Sequence, residues 1–408
     1  MLHSFRSIFA KSAPRDLLNA RQGYDGPALF SYGFRPFFLF GAVWAALSVP
    51  LWIYAYANGL GIIGGMPAQE WHAHEMIYGY LAAVIAGFLL TAVPNWTGRL
   101  PVLGGRLMFL FAVWGAGRIA MLARGHIGPV AAAFVDCLFL VVLAAMMWRE
   151  IIAGKNIKNV PVCVLATLLA LSNIGFHVGV LNYELHEFSE HFAIGVIALM
   201  IALIGGRIVP SFTRNWLTQQ KISPLPAQFS LIDKAALGAA AIGLLGWTID
   251  AGGSVTGVVL FVAGVTHAVR LGRWRGWKAS AEPLVLILHV GYGWLPVSFL
   301  LMSASVFAPA VVPSLAALHA LTAGTMGTMT LAVMTRATLG HTGRKLTADA
   351  WTTSIYGLVV GGALLRVAAS IFFIQFYMPT LVLSAALWSG AFMLFALRYG
   401  PMLLRPRQ

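Results

Sequence analysis

The sequence predicts an all-α polytopic membrane protein with about twelve transmembrane helices. Of the 408 residues, 59% are hydrophobic and only 10% are charged, whereas a soluble globular domain carries about 25% charged residues. Apolar runs of the roughly 20 residues that a membrane span requires recur along the chain. The basic residues lie between these runs, in alternate loops. A fold in water could not cover so much apolar surface with so few charges.

The apolar runs define the expected helices, and the whole chain, residues 1–408, is interpreted as one transmembrane domain. Residues 1–28 are expected to form a polar N-terminal tail, which lacks the apolar core of a cleavable signal peptide. Proline within the runs is tolerated in membrane helices. The predicted spans are residues 34–57, 71–95, 106–124, 129–149, 161–181, 188–210, 231–250, 254–271, 283–303, 313–336, 351–374 and 379–400.

Lysine and arginine residues set the expected orientation of these helices. With the spans above, 24 of the 27 basic residues fall on one side, and only Arg118, Arg124 and Arg366 lie on or near the other. The positive-inside rule assigns the basic side to the cytoplasm, so both termini are expected there. The net charge of +14 is therefore interpreted as a topology signal and not as a nucleic-acid site.

A shared spacing suggests an internal repeat. His74 and His319 are each followed 25 residues later by the arginine of a Thr-Gly-Arg triplet, Arg99 and Arg344 respectively. His191 opens a third segment of similar layout. Twelve helices would then form three quartets of four helices each. The quartets cover roughly residues 30–150, 160–272 and 282–401.

Six of the eleven histidines are expected in the outer third of the membrane. Ionisable groups at membrane depth are costly and usually functional, and imidazole is a common ligand for haem iron, copper and zinc. The sequence therefore predicts a metal or haem site near the outer face. The six residues are His72, His74, His177, His186, His191 and His319.

Two details limit the roles of these histidines. His72 and His74 are two residues apart and would point about 200° apart on a regular helix, so they serve different sites or the helix begins after His72. The two cysteines, Cys137 and Cys163, form no Cys-x-x-Cys pair, and no Cys-x-x-Cys-His motif occurs, so any haem would be bound without covalent attachment.

Acidic residues are also placed unevenly along the predicted spans. Glu75, Glu184, Glu187 and Glu190 join the outer histidines, and Asp136 is expected in the outer half of the fourth helix. The cytoplasmic halves of the helices lack carboxylates. This distribution argues against a cation pump, a proton-driven carrier and proton uptake from the cytoplasm.

Three stretches of the chain resemble the NnrS family, and the similarity extends over almost the whole chain. The resemblance implies a twelve-span bacterial inner-membrane protein that contains haem and copper and is linked to denitrification and nitric oxide stress. The stretches are SYGFRPFF at residues 31–38, WHAHEM at residues 71–76 and GFLLTAVPNWTG at residues 87–98.

The three-quartet layout also resembles the catalytic subunit of haem-copper oxidases and nitric oxide reductases. The sequence departs from that pattern, because Leu321 and not histidine follows His319 by two residues, and Gly195 and not tyrosine follows His191 by four. Oxygen reduction and proton pumping are therefore not expected. An oxidoreductase of nitric oxide-reductase type, taking protons from the outer side, remains compatible with the sequence.

On this resemblance, we expect a protein that binds or reduces nitric oxide or otherwise protects against nitrosative stress, with an electron donor that is not identified. Haem b is expected on His72, His74 and His319, with His289 as a further candidate. Copper is expected on His177, His191 and His186, with Glu187 and Glu190 supplying protons. Two alternatives stay open: a secondary transporter whose histidines line a substrate path, and a factor that delivers haem or copper without turnover.

Overall fold

A computed structural model describes residues 24–179 and 182–408 of the chain. Most of the predicted N-terminal tail, residues 1–23, lies outside the described residues. Twelve helices in the described part are long and apolar enough to cross a membrane, so the predicted multi-pass α-helical membrane protein is confirmed. The described sheet is limited to Ile62–Ile63 paired antiparallel with Met66–Pro67 in the loop after the first span.

The twelve spanning helices are numbered α1 to α12 in chain order. They are α1 Phe34–Ala57, α2 Ala68–Thr97, α3 Gly105–Leu122, α4 Pro129–Ala153, α5 Ile157–Val178, α6 Glu184–Gln219, α7 Leu231–Ile249, α8 Ser254–Gly272, α9 Pro283–Phe307, α10 Ser314–His341, α11 Ala350–Ile371 and α12 Ile374–Leu404.

Polar side chains and prolines mark the first turns of several helices. Ser230 and Asp233 form a reciprocal capping box at the start of α7. Asp349 accepts a hydrogen bond from the Thr352 amide at 2.8 Å at the start of α11. Pro283 occupies the first turn of α9, where its missing N–H removes no helical hydrogen bond.

Several helices extend beyond the predicted apolar runs, and two of them run five or more residues past the predicted C-terminal end. α6 continues to Gln219, nine residues beyond the predicted end at residue 210, and Pro210 lies inside the helix. α10 continues to His341. The difference arises because polar residues at the end of a membrane helix keep their backbone hydrogen bonds while the hydropathy signal stops.

Among the described residues, two π-helical segments interrupt the regular helices, and each begins directly after a histidine. Glu75–Leu81 follows His74 within α2, and Ala320–Gly327 follows His319 within α10. The glycines of both Thr-Gly-Arg triplets are left-handed, with φ 71° at Gly98 and φ 83° at Gly343. The two segments therefore share local backbone geometry as well as sequence spacing.

The chain divides into two compact units. The first contains the described residues up to Asn182, together with His341–Arg344 and Ala396–Gln408, and its most enclosed spanning helix is α2. The second contains Tyr183–Gly340 and Lys345–Phe395, and its most enclosed spanning helices are α6, α9 and α10.

The three arginines outside the positive-inside pattern are all buried. Arg124 donates a hydrogen bond to the Gly65 carbonyl, and Arg366 donates one to Ser370 Oγ at 3.1 Å. Arg118 pairs with carboxylates, as described below. These side chains therefore serve internal contacts, which is why they do not follow the charge pattern of the loops.

Candidate metal centre

Three metal-ligating side chains meet inside the first unit: His74 of α2, Asp136 of α4 and His177 of α5. One ring nitrogen from each histidine and one Asp136 oxygen all lie within 4.8 Å of one another. His74 and Asp136 are buried, and His177 is half-buried. Two imidazoles and a carboxylate are a donor set that copper, iron and zinc accept.

Asp136 lies at the centre of this cluster, because four side chains approach its carboxylate. Oδ2 is 3.1 Å from His74 Nε2 and 3.0 Å from His177 Nε2. Asn173 donates its Nδ2–H to the same oxygen at 2.8 Å. Arg118 donates from Nη2 to Oδ1. The carboxylate is therefore fixed in orientation by neighbours from three other helices.

The π-helical segment Glu75–Leu81 brings two consecutive side chains into the same cluster. On a regular helix, neighbouring residues point about 100° apart, yet His74 Nδ1 lies 3.0 Å from Glu75 Oε1. Gly79 leaves the space for this arrangement, because a Cβ there would lie 2.7 Å from both Glu75 Oε2 and Arg118 Nη1. Such π segments occur frequently at functional sites.

Glu75 is held by two donors on its Oε2 atom. Trp44 donates from Nε1 at 2.7 Å, and Arg118 donates from Nη1 at 2.6 Å. Because Arg118 also binds Asp136, one guanidinium bridges the two buried carboxylates. Two charge-assisted hydrogen bonds from one planar guanidinium fix the relative positions of the two carboxylates as well as supplying charge.

The cluster has one net negative charge when both histidines are neutral, because two carboxylates face a single guanidinium. Both ring nitrogens of His74 lie beside carboxylate oxygens, and a neutral imidazole has a hydrogen on only one of them. The second contact therefore requires a further positive charge, either a proton on His74 or a metal ion. Without it, a buried charge would remain uncompensated, which is costly.

The cluster fits a metal ion and does not fit a haem at the same position. An Asp136 oxygen lies between the two imidazoles, where a porphyrin would have to pass. His74 is fully enclosed, with the rings of Tyr78 and Phe176 centred 5.2 and 5.1 Å from its own. Asn173 Oδ1, beside the cluster, is buried without a hydrogen-bond partner among the described residues. This oxygen could therefore serve as a further metal ligand.

His72, the neighbour of His74 in the predicted haem set, has different surroundings. Its ring stacks on Trp52 with the centroids 4.3 Å apart, whereas His74 turns towards Asp136. The two histidines thus serve different environments, as their spacing of two residues indicates.

The other predicted ligands and proton donors lie in the second unit. His289 Nε2 is 2.7 Å from Thr213 Oγ1, and the His191 ring stacks on Trp247 at 4.1 Å. His319 Nδ1 is 2.9 Å from the Leu315 carbonyl, a contact that places the Nδ1 hydrogen there and the ring lone pair on Nε2. The first turns of α6 contain buried His186, exposed Glu187 and half-buried Glu190.

The sequence prediction missed four members of the cluster: Trp44, Arg118, Asp136 and Asn173. Two of them gave a signal, because Arg118 and Asp136 are charged residues inside apolar runs, where a charge is costly unless it has a partner. Asn173 and Trp44 gave none, since a lone amide or indole in a membrane helix is common.

Comparison with known proteins agrees with the architecture. A family model described as NnrS protein matches residues 28–407, nearly the whole chain. None of the curated proteins compared with the chain matches it. The described part of the chain has twelve apolar helices and a histidine–carboxylate cluster that can hold a metal. The family match supports a membrane protein with a role related to nitric oxide. The chain belongs to the NnrS family.

Proposed function

We propose that this protein handles nitric oxide in the bacterial inner membrane at a copper ion held by His74, Asp136 and His177. The observation that carries the proposal is the convergence of three ligand atoms within 4.8 Å, in a buried cluster that lacks one positive charge. When bound, copper supplies an open position at which a diatomic ligand can coordinate.

The surrounding residues would keep the ligands in place. Arg118 and Trp44 orient Glu75, and Glu75 in turn contacts His74 Nδ1 at 3.0 Å. A hydrogen bond of this kind on the second ring nitrogen of a histidine ligand fixes the ring and directs the other nitrogen to the metal. Glu75 and Arg118 are therefore positioning residues in this proposal.

Haem b would require a separate position, because the copper cluster does not fit a porphyrin. His319 is the residue that would hold it, since its Nδ1 contact with the Leu315 carbonyl sets the tautomer that a metal-binding histidine has. His72 in the first unit and His289 in the second unit also remain proposed as haem ligands, each within its own unit.

The direction of the protein in the membrane is proposed from its loop charges. The basic loops would face the cytoplasm, as would both termini, and the copper cluster would lie towards the periplasmic side. Within the second unit, Glu187 and Glu190 on α6 are proposed to supply protons from that side, and His186 and His191 are proposed to bind copper there. We also propose three structural quartets in the single transmembrane domain.

Titration of the purified, copper-loaded protein with nitric oxide tests the proposed function. We expect the copper electron paramagnetic resonance signal to change on adding nitric oxide, and we expect no such change in His177→Ala. His126→Ala removes an exposed histidine of an outer loop and should behave as wild type. An unchanged signal in wild type, or an equal response in His177→Ala, would contradict the proposal.

Turnover separates an oxidoreductase from the two other candidate functions. Consumption of nitric oxide by the reduced protein, measured with a nitric oxide electrode, is expected for an enzyme. Transfer of copper or haem to an acceptor protein without nitric oxide consumption would favour a delivery factor. Solute uptake into proteoliposomes by a metal-free protein would favour a transporter.

A further inference from the structure

The first unit contains a second group of charged side chains, which the proposed function does not use. It lies where α1 begins and α12 ends, and the segment His341–Arg344 joins it from the end of α10. Unlike the metal centre, the group consists of cations alone. This arginine cluster comprises Arg35, Arg344, Arg398 and Arg405.

Arg35 connects the start of α1 to the end of α12. The residue is only 3% exposed, and its Nη1 atom donates to the carbonyl oxygens of Leu403 at 2.9 Å and Arg405 at 2.6 Å. The last carbonyls of a helix have no partner within it, so a cation is favourable there. The Nε and Nη2 atoms of Arg35 make no hydrogen bond to the described residues, so a buried cation keeps unused donors.

The loop after α10 brings Arg344 to the same end of the unit. The Thr342 carbonyl oxygen accepts a hydrogen bond from the Gln408 amide at 3.1 Å, and Arg344 Nη1 lies 3.4 Å from the same oxygen. Partial burial and the positive charges of Arg398 and Arg405 lower the pKa of Arg344. The three guanidinium groups are therefore close enough to repel one another.

The positive charge of this cluster is not compensated within the described chain. Among the residues that the structure describes, no carboxylate side chain lies within ion-pair distance of Arg35, Arg344 or Arg405. Arg99 of the same unit differs, because it pairs with Glu150 at 2.5 Å. Cations gathered without a counter-charge, one of them buried, are costly unless an anion from outside the chain joins them.

Exposed leucines beside the arginines indicate the kind of anion. Leu397, next to Arg398, is 67% exposed, and Leu404, next to Arg405, is 53% exposed. On a membrane helix such apolar surface is covered by lipid chains. A phospholipid with a net negative headgroup matches both features, because its phosphate accepts from guanidinium groups and its chains cover the leucines. A free phosphate ion would use the arginines only.

We propose that the arginine cluster binds the phosphate of an anionic phospholipid whose acyl chains lie against the end of α12. Guanidinium groups suit this ligand, since their planar set of donors matches phosphate oxygens. The lipid phosphate would supply the missing negative charge and would stabilise the contact between the ends of α1, α10 and α12. The site is separate from the proposed copper centre and does not depend on it.

Native mass spectrometry of the full-length protein in detergent, titrated with phosphatidylglycerol, tests this proposal. We expect phosphatidylglycerol to bind more tightly than phosphatidylethanolamine with the same acyl chains. Arg344→Gln and Arg405→Gln should each weaken phosphatidylglycerol binding about fivefold, the contribution of one basic residue near an anionic membrane surface. Lys158→Gln removes an exposed charge in the first turn of α5 and should bind as wild type.

Further arms of the experiment identify the source of the phosphate and the role of charge. Inorganic phosphate at millimolar concentration should not displace the lipid, and Arg344→Lys should lose less binding than Arg344→Gln. Arg344 is half-buried and Arg405 is exposed, so these variants should fold and keep the copper content of wild type. Equal binding of the two lipids, displacement by inorganic phosphate, or an equal loss in Lys158→Gln would overturn the proposal.

Discussion

His74 and Asp136 are 62 positions apart in the chain, yet His74 Nε2 lies 3.1 Å from Asp136 Oδ2 inside the first unit. The contact joins α2 to α4, and the half-buried His177 of α5 completes the group with a ring nitrogen 3.0 Å from the same oxygen. The proposed metal centre depends on this contact, and so do the first two predictions below.

Gly79→Ala should disturb the cluster without altering any of its polar groups. The new Cβ would lie within 2.8 Å of polar atoms of Glu75, Arg118 and Trp44, so these side chains would have to move. Overpacking of this kind costs about 1–3 kcal/mol. We expect lower copper occupancy and a lower thermal unfolding temperature. Gly115→Ala on α3, where no atom lies within 4 Å of the new Cβ, is the matched control and should match wild type.

Arg118→Met should destabilise the first unit strongly. It would leave Glu75 and Asp136 buried without the guanidinium that bridges them, and removing one partner of a buried ion pair costs about 3–5 kcal/mol. The free energy of unfolding, measured by denaturant titration in mixed micelles, checks this expectation. In the control Arg149→Gln, the Arg149 side chain is 57% exposed, so little change is expected. Equal stability of the two variants would contradict the role given to Arg118.

The two left-handed glycines should differ in their response to alanine. At Gly98 a Cβ meets no atom within 4 Å, so Gly98→Ala costs only the backbone strain of about 1–2 kcal/mol. At Gly343 the Cβ would also lie 2.3 Å from the Gln408 carbonyl oxygen. We therefore expect Gly343→Ala to lower the unfolding temperature more than Gly98→Ala does. The reverse order would show that the C-terminal contact does not form.

Labelling of single cysteines tests the orientation. In a background with Cys137→Ala and Cys163→Ala, we expect a membrane-impermeant maleimide to label Asn58→Cys on intact spheroplasts, because the loop after α1 should face outwards. Lys158→Cys, in the first turn of α5, should be labelled only after the membrane is broken. Both positions are exposed, so burial cannot explain a difference. Labelling in the opposite pattern would place the termini outside.

The fold could be predicted from the sequence because each membrane helix is recognisable from its own residues alone. A run of about 20 apolar residues is a span wherever it occurs, and the twelve runs match the twelve helices. Helix ends were less predictable: the apolar run ended at residue 210, but α6 continues through Pro210 to Gln219. The π-helical segments after His74 and His319 could not be predicted from the sequence, since no residue type marks the place where a helical turn takes up one more residue.

The site was only partly accessible, because it depends on contacts between distant residues. Histidine depth selected both His74 and His177. The assignment made on the family resemblance then gave them to different cofactors, whereas their rings are centred 5.1 Å apart. The partner that joins them, Asp136, was noted for its depth alone. Arg118 was noted only as an exception to the charge pattern, although that exception follows from its pairing with two buried carboxylates.

Metal analysis of the purified full-length protein, expressed with copper in the medium, shows whether His74, Asp136 and His177 hold copper. We predict a copper ion bound in stoichiometric amount to wild type and to His126→Ala, and its loss in both His177→Ala and Asp136→Asn. Asp136→Asn keeps the shape of the side chain and removes its charge, so its loss of copper would not be an effect of packing. Stoichiometric copper in both site variants, or none in a folded wild-type protein, would contradict the account.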